Sequence, residues 1–151
     1  MELNKHTKQY WTEEDINELE KVETFKDMLT VAMRVLNRMQ KPIAMVCGPI
    51  TTGGKGSMFQ NMLDFNKAII RLQTKGVNVF DQMPYEQPME RLKLELPSNE
   101  YAYDILTDFY LPIFEAKTIS KFYFIPGWES STGATWEHAQ AKRLGIEIEY
   151  L

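Results

Sequence analysis

Apolar residues in the N-terminal stretch recur at three- and four-residue steps: Leu19, Val22, Phe25, Met28, Leu29, Ala32, Val35 and Leu36. That spacing lines one face of a helix and buries it, with room for one or two breaks. Thr12, followed by Glu13, Glu14 and Asp15, reads as the start: a hydroxyl cap, then acids at the positive end of the helix dipole. Residues 1–40 are therefore expected to form a helical extension, which packs either on the rest of the chain or on a partner subunit.

From residue 41 onward the pattern alternates. Residues 42–47 (Pro-Ile-Ala-Met-Val-Cys) form a short continuous apolar run, as in a strand buried on both faces. A glycine-rich stretch, 48–57, follows. Phe59, Met62, Leu63, Asn66, Ile69, Ile70 and Leu72 then step at helical spacing, and Gly76 stands where a helix cap belongs. Residues 77–81 read as a second strand, which completes a βαβ unit. Residues 84–96 hold a short helix and a loop. Ser98 can cap a helix through Tyr101, Ile105, Phe109 and Ile113, with Pro112 threatening a kink. Residues 121–125 are a third strand, 134–144 a helix closed by Gly145, and 146–150 a last strand. The expected fold is α/β: a doubly wound, mostly parallel sheet of about four to five strands, flavodoxin- or Rossmann-like, spanning 41–151.

Ligands of such sheets bind beyond the carboxyl ends of the strands. Three segments fall there: 48–57, 81–85 and 127–137. The first is not a P-loop, because Gly48 and Gly54 enclose five residues and Gly56 follows Lys55 where Ser or Thr is required. G-x-G-x-x-G does not fit either. What remains is either a turn that tolerates glycine or one whose N–H groups approach an anion. In the late segment Ser131, Thr132 and Gly133 can cap a helix and offer groups to an anion. Glu137 is expected near the first turn of that helix, either as a capping acid or as an ionised nucleophile favoured by the dipole. Asp81 can face the site or cap a turn. Trp128, Trp136 and Tyr85 can stack on a base or pack internally. His138 adjoins Glu137, but helix neighbours point about 100° apart. Cys47 reads as a small apolar filler at a strand end.

Composition narrows the classes. The 17 Lys+Arg against 21 Asp+Glu leave a net charge of -4, without the basic footprint of a nucleic-acid polymer binder. One cysteine and two histidines exclude an intramolecular disulfide and a Cys/His zinc cluster. No apolar run approaches the roughly 18 residues of a membrane span, and the polar start MELNKHTKQYW is not a signal peptide. A cytoplasmic location without membrane partners is expected.

Cys47-Gly48-Pro49-Ile50 after a buried strand, with Ser131-x-Gly133-x-x-x-Glu137-x-x-x-Ala141-x-x-Leu144-Gly145 late in the chain, resembles the nucleoside 2-deoxyribosyltransferase superfamily. That superfamily includes 2'-deoxynucleoside 5'-monophosphate N-glycosidases and small uncharacterised relatives. The latter are resembled most, through Pro126-Gly127-Trp128 ahead of the serine loop. The resemblance covers 42–151. It implies attack at C1' of a (deoxy)ribosyl group, with Glu137 as nucleophile forming a glycosyl ester that water or another base releases. It further implies that an upstream Asp orients the nucleophile or handles the leaving base's proton. Asp108 is the nearest match and Asp104 the rival. Ser131 with Gly48, Ile50, Gly53 and Gly54 would hold a 5'-phosphate. A homo-oligomer is implied, and no metal or organic cofactor is required. A non-catalytic nucleotide- or metabolite-binding module and an assembly protein using residues 1–40 are the alternatives.

Overall fold

The structure, a computed structural model, describes residues 2–51, 53–95 and 102–151. In chain order its elements begin with α1 (Lys5–Lys8), α2 (Glu13–Lys21), α3 (Phe25–Arg38), β1 (Ile43–Cys47), α4 (Met58–Thr74) and β2 (Asn78–Val79). A 3-10 turn (Met83–Tyr85) leads into α5 (Glu86–Lys93); later come α6 (Tyr103–Ile105), a π-helical segment (Leu106–Tyr110) and α7 (Leu111–Glu115). The chain closes with β3 (Ile119–Phe124), a 3-10 turn (Trp128–Ser130), α8 (Thr132–Leu144) and β4 (Glu147–Tyr150). By their internal contacts these fall into two units. Met1–Met39 with Gln82–Ala116 make a helical unit, and Gln40–Asp81 with Lys117–Leu151 make a sheet unit. The helical part thus takes in residues 82–116 as well as the N-terminal helices.

Two capping boxes organise the start of the helical unit. Thr12 and Thr24 accept from the N–H of Asp15 and Asp27, whose carboxylates accept from the cap N–H groups in return. The second box starts a new helix after α2 has ended at Val22, which is the break within the long apolar pattern. Asp15 is buried and also accepts from Arg34 Nε at 3.1 Å and from Arg38. Burial raises its carboxyl pKa, but the bonds from Arg38, Thr12 and Arg34 outweigh that and bring it to about 2. Rings join the rest: Trp11 to Tyr85 at 5.6 Å, Tyr85 to Phe109 at 5.2 Å, Phe109 to Tyr110 at 4.9 Å. Pro112 does more than kink its helix. It brings no N–H, and the chain before it widens so that Leu111 N–H donates five residues back to Leu106 O. The expected cap Ser98, and Tyr101 with it, lie outside the described residues.

The sheet unit is α/β, with four strands in the order β2-β1-β3-β4, all parallel. Every residue of β1 is buried, as a central strand covered on both faces requires. β2 is short, but Phe80 N–H donates to Ala44 O at 2.8 Å and carries the pairing one residue further, to Phe80. Helix α8 begins at Thr132, two residues before the expected start, because Ser131 is its cap. It stops at Gly145, whose φ of 70° a side chain would strain. The connections β1-α4-β2 and β3-α8-β4 run in opposite directions across the sheet. The carboxyl ends of β1 and β3 therefore flank the switch point where open parallel sheets bind ligands. Among the described residues, no helix is long and apolar enough to cross a membrane.

Asp15 gives a signed pH prediction. Its folded pKa lies below the unfolded value of 3.8, so its stabilisation is present above that value and is lost as pH falls through about 2. Chemical denaturation at a series of pH values should show a loss of about 2 kcal/mol over that window, absent in Asp15→Asn. An equal acid limb in the variant would remove Asp15 as its cause.

Candidate functional site

Two loops meet at the switch point, and one hydroxyl joins them. Ser130 Oγ accepts from Gly54 N–H at 2.7 Å and donates to Gly127 O at 2.7 Å. This couples the glycine loop after β1 to the turn after β3. The approach is so close that a Cβ on Gly53 would fall on the Ser130 backbone, and the φ of 70° at Gly53 adds strain to any side chain there. From below, buried Asn61 of α4 pins the same loop. Its Nδ2 donates to Ile50 O and Gly53 O, both at 3.1 Å, and its Oδ1 accepts from Lys55 N–H at 3.0 Å. Lys55 Nζ is tied to Asp64 at 2.7 Å. The loop is therefore an ordered turn with its Gly54 and Lys55 N–H groups already occupied by side chains. The expectation that the Gly54 N–H faces an anion is not what this arrangement presents.

Glu137 sits at 6% exposure on α8. It lies one turn deeper than expected: the first turn of α8 holds no acid, and Glu137 is its sixth residue. The dipole effect fades within the first turn, so it contributes little to this carboxylate. Its neighbour is Cys47, the last residue of β1. Burial, and then the Glu137 charge, push the Cys47 thiol well above its ordinary value. Asp81 is buried too, just past β2, so among the described residues the sheet unit has two buried acids, Asp81 and Glu137.

The other expected residues distribute as follows. Gly48 is buried, and a Cβ there would come within 3.0 Å of Ile125. Ile50 is half-buried. Ser131 is buried, and its Oγ accepts from Ala134 N–H at 3.2 Å, while Gly133 lies in the first turn behind it. Trp128 stacks on His138, ring centres 4.2 Å apart, beside Phe124 and Tyr150. His138 Nε2 lies 2.7 Å from Tyr150 Oη. Burial lowers the His138 pKa, helped by Lys142 and opposed by Glu129. Asp108 and Asp104 belong to the helical unit, Asp108 half-buried in the π-helical segment and Asp104 exposed on α6. Gly48, Ile50, Gly53, Gly54, Asp81, Trp128, Ser131, Gly133 and Glu137 all belong to the sheet unit. Among the described residues, no group of three or more His, Cys, Asp or Glu could hold a metal.

Sequence reasoning missed Asn61, Ser130 and the Cys47 contact. Asn61 stands four and eight residues before Phe65 and Ile69, on the stripe that α4 buries, and that spacing was the available signal. Ser130 cannot be told from Ser131 without the loops in place.

The chain belongs to the family described as Domain of unknown function (DUF4406), whose model matches residues 43–150. The match runs from the first residue of β1 to the last of β4. No curated protein and no solved structure matches the chain.

Asn61→Ala removes three hydrogen bonds from the loop and should cost about 2 kcal/mol in urea denaturation. Gly53→Ala should destabilise comparably, and both should speed proteolytic nicking at 48–57. Wild-type stability in both variants would mean that the loop is not held in this way.

Proposed function

We propose that this protein cleaves or transfers the N-glycosidic bond of a nucleoside or nucleoside 5'-monophosphate, with Glu137 as the nucleophile. The observation that carries the reading is a buried carboxylate on α8, beside the last residue of the central strand and at the position of the late motif. One Glu137 oxygen bonds to C1' while the C1'–N bond breaks, and the base leaves with the electron pair and then takes a proton. Water hydrolyses the ester, or a second base displaces it. Asp81 is the second buried acid of the same unit, at the carboxyl end of the neighbouring strand, and we assign the leaving base's proton to it. Asp108, which the resemblance implies for this role, belongs to the helical unit. Ser131 and Gly133, at the start of α8, are assigned to the polar end of the ligand, with Gly48 and Ile50 lining the loop side.

One observation favours a second reading, capture of a nucleotide-like ligand without turnover. The Ser131 hydroxyl and the Trp128 ring are each engaged within the protein, as capping acceptor and stacking partner. The acids would then serve to position a ligand.

Free-base release from a panel of ribo- and deoxynucleosides and their 5'-monophosphates, with and without a second base, tests both. Glu137→Gln should lose activity by at least about a thousandfold, and Asp81→Asn by less. A larger loss in Asp108→Asn than in Asp81→Asn would assign the proton to Asp108. No release from any substrate, with ligand-dependent thermal stabilisation in wild type and Glu137→Gln alike, would favour the binding module.

We assign the self-association implied by the resemblance to the outer face of α4. There Phe59, Leu63 and Ile70, at 73%, 40% and 41% exposure, line one stripe at four- and seven-residue steps. Light scattering should find a dimer or larger in wild type and a monomer in Phe59→Asp with Leu63→Asp. An unchanged mass in the double variant would place any interface elsewhere.

A further inference from the structure

His138 joins the turn after β3 to the rest of the sheet edge. Its ring stacks on Trp128 with centres 4.2 Å apart, and Phe124 meets it edge-on at 5.0 Å. Its Nε2 lies 2.7 Å from Tyr150 Oη. Phe124 and Tyr150 are registered partners at the ends of β3 and β4, so the imidazole connects α8, both strand ends and the turn. Within that turn Ser130 N–H donates to Gly127 O at 3.1 Å and Ser131 N–H to Trp128 O at 3.0 Å, so a movement of Trp128 carries the serines with it. Ser130 Oγ in turn holds Gly54 N–H at 2.7 Å. Contacts therefore run without a gap from His138 through Trp128 and Ser130 to the glycine loop.

We infer that His138 is a positioning residue: its neutral ring latches the Trp128–Ser130 turn to α8 and β4, and through Ser130 it fixes the glycine loop. The latch is independent of the chemistry assigned to Glu137. Histidine differs from other rings in this place because it can take a charge. Among the described residues, the titratable groups around it are Lys142 of α8, Glu129 of the turn and Tyr150 of β4, while β3 presents Phe124. Burial and then Lys142 disfavour the imidazolium, Glu129 only partly offsets them, and the folded pKa lies below 6.5. The unfolded ring thus binds the proton more readily than the folded one. The latch is at full strength above 6.5 and weakens as pH falls through the folded value.

The chain has two histidines, His6 and His138, so proton NMR of the imidazole C–H signals follows both, with His138→Gln to assign them. The His138 signal should be moved upfield by the Trp128 ring and should titrate below 6.5. A signal without the ring shift, or one titrating at or above 6.5, overturns the inference. Hydrogen exchange of the Gly54 and Ser131 amides, taken as protection factors, reads the latch directly, and the Phe80 amide, bonded within the sheet, is the control. In wild type the first two should lose about tenfold in protection between about pH 7.5 and about pH 5, with Phe80 unchanged. His138→Ala should show the low protection at both pH values. His138→Phe, which keeps a ring on Trp128 without a charge, should show the high protection at both. The wild-type titration and the Phe variant keep the test decisive should the Ala variant misfold. Wild-type protection in folded His138→Ala overturns the inference, as does an equal acid loss in His138→Phe. A loss shared by Phe80 marks a general loosening of the sheet and overturns it as well.

Discussion

Strand β1 is hydrogen-bonded along both edges, to β2 on one side and β3 on the other, both in parallel. Everything at the candidate site depends on that constraint. A parallel strand flanked by parallel neighbours must be covered on both faces, which is why its five residues are apolar and buried. It also sets the direction of the connections. One βαβ crossover leaves toward β2 and the other runs from β3 toward β4, so the loops after β1 and β3 have no helix crossing between them. They close on each other instead, through Ser130, and the register Cys47 to Phe124 sets how closely they do so.

The polar groups of this edge are arranged by burial. Ser130 and Asn61 satisfy backbone groups of the glycine loop that would otherwise need water or a ligand, and they make it rigid. Glu137 on α8 and Asp81 just past β2 are acids taken out of water.

The helical unit follows a different logic. Its order comes from paired capping boxes and from one buried acid, Asp15, that answers to two arginines and a helix cap together. Removing either arginine leaves the buried Asp15 carboxylate with less of its charge met, so the members are coupled in stability.

The sequence by itself determined the element types, the α/β class and the strand-end loops. These rest on short-range patterns: the run 42–47, the helical stepping after Phe59, the caps Thr12 and Ser131, and the stop at Gly145. Each is a property of a few neighbouring residues and survives without knowledge of the rest. It also marked Glu137, since the motif around it is local. Only the tertiary structure decided that residues 82–116 group with residues 1–39, because amphipathic helices carry no label for the core they join. It alone showed that Ser130 and not Ser131 bridges the loops, that Asn61 turns inward, and that Asp81 shares a unit with Glu137 while Asp108 does not. The contact of Cys47 with Glu137 joins residues 90 positions apart in the chain. No local periodicity encodes such a pair. It arises because the parallel sheet brings the end of one strand beside the helix that follows another.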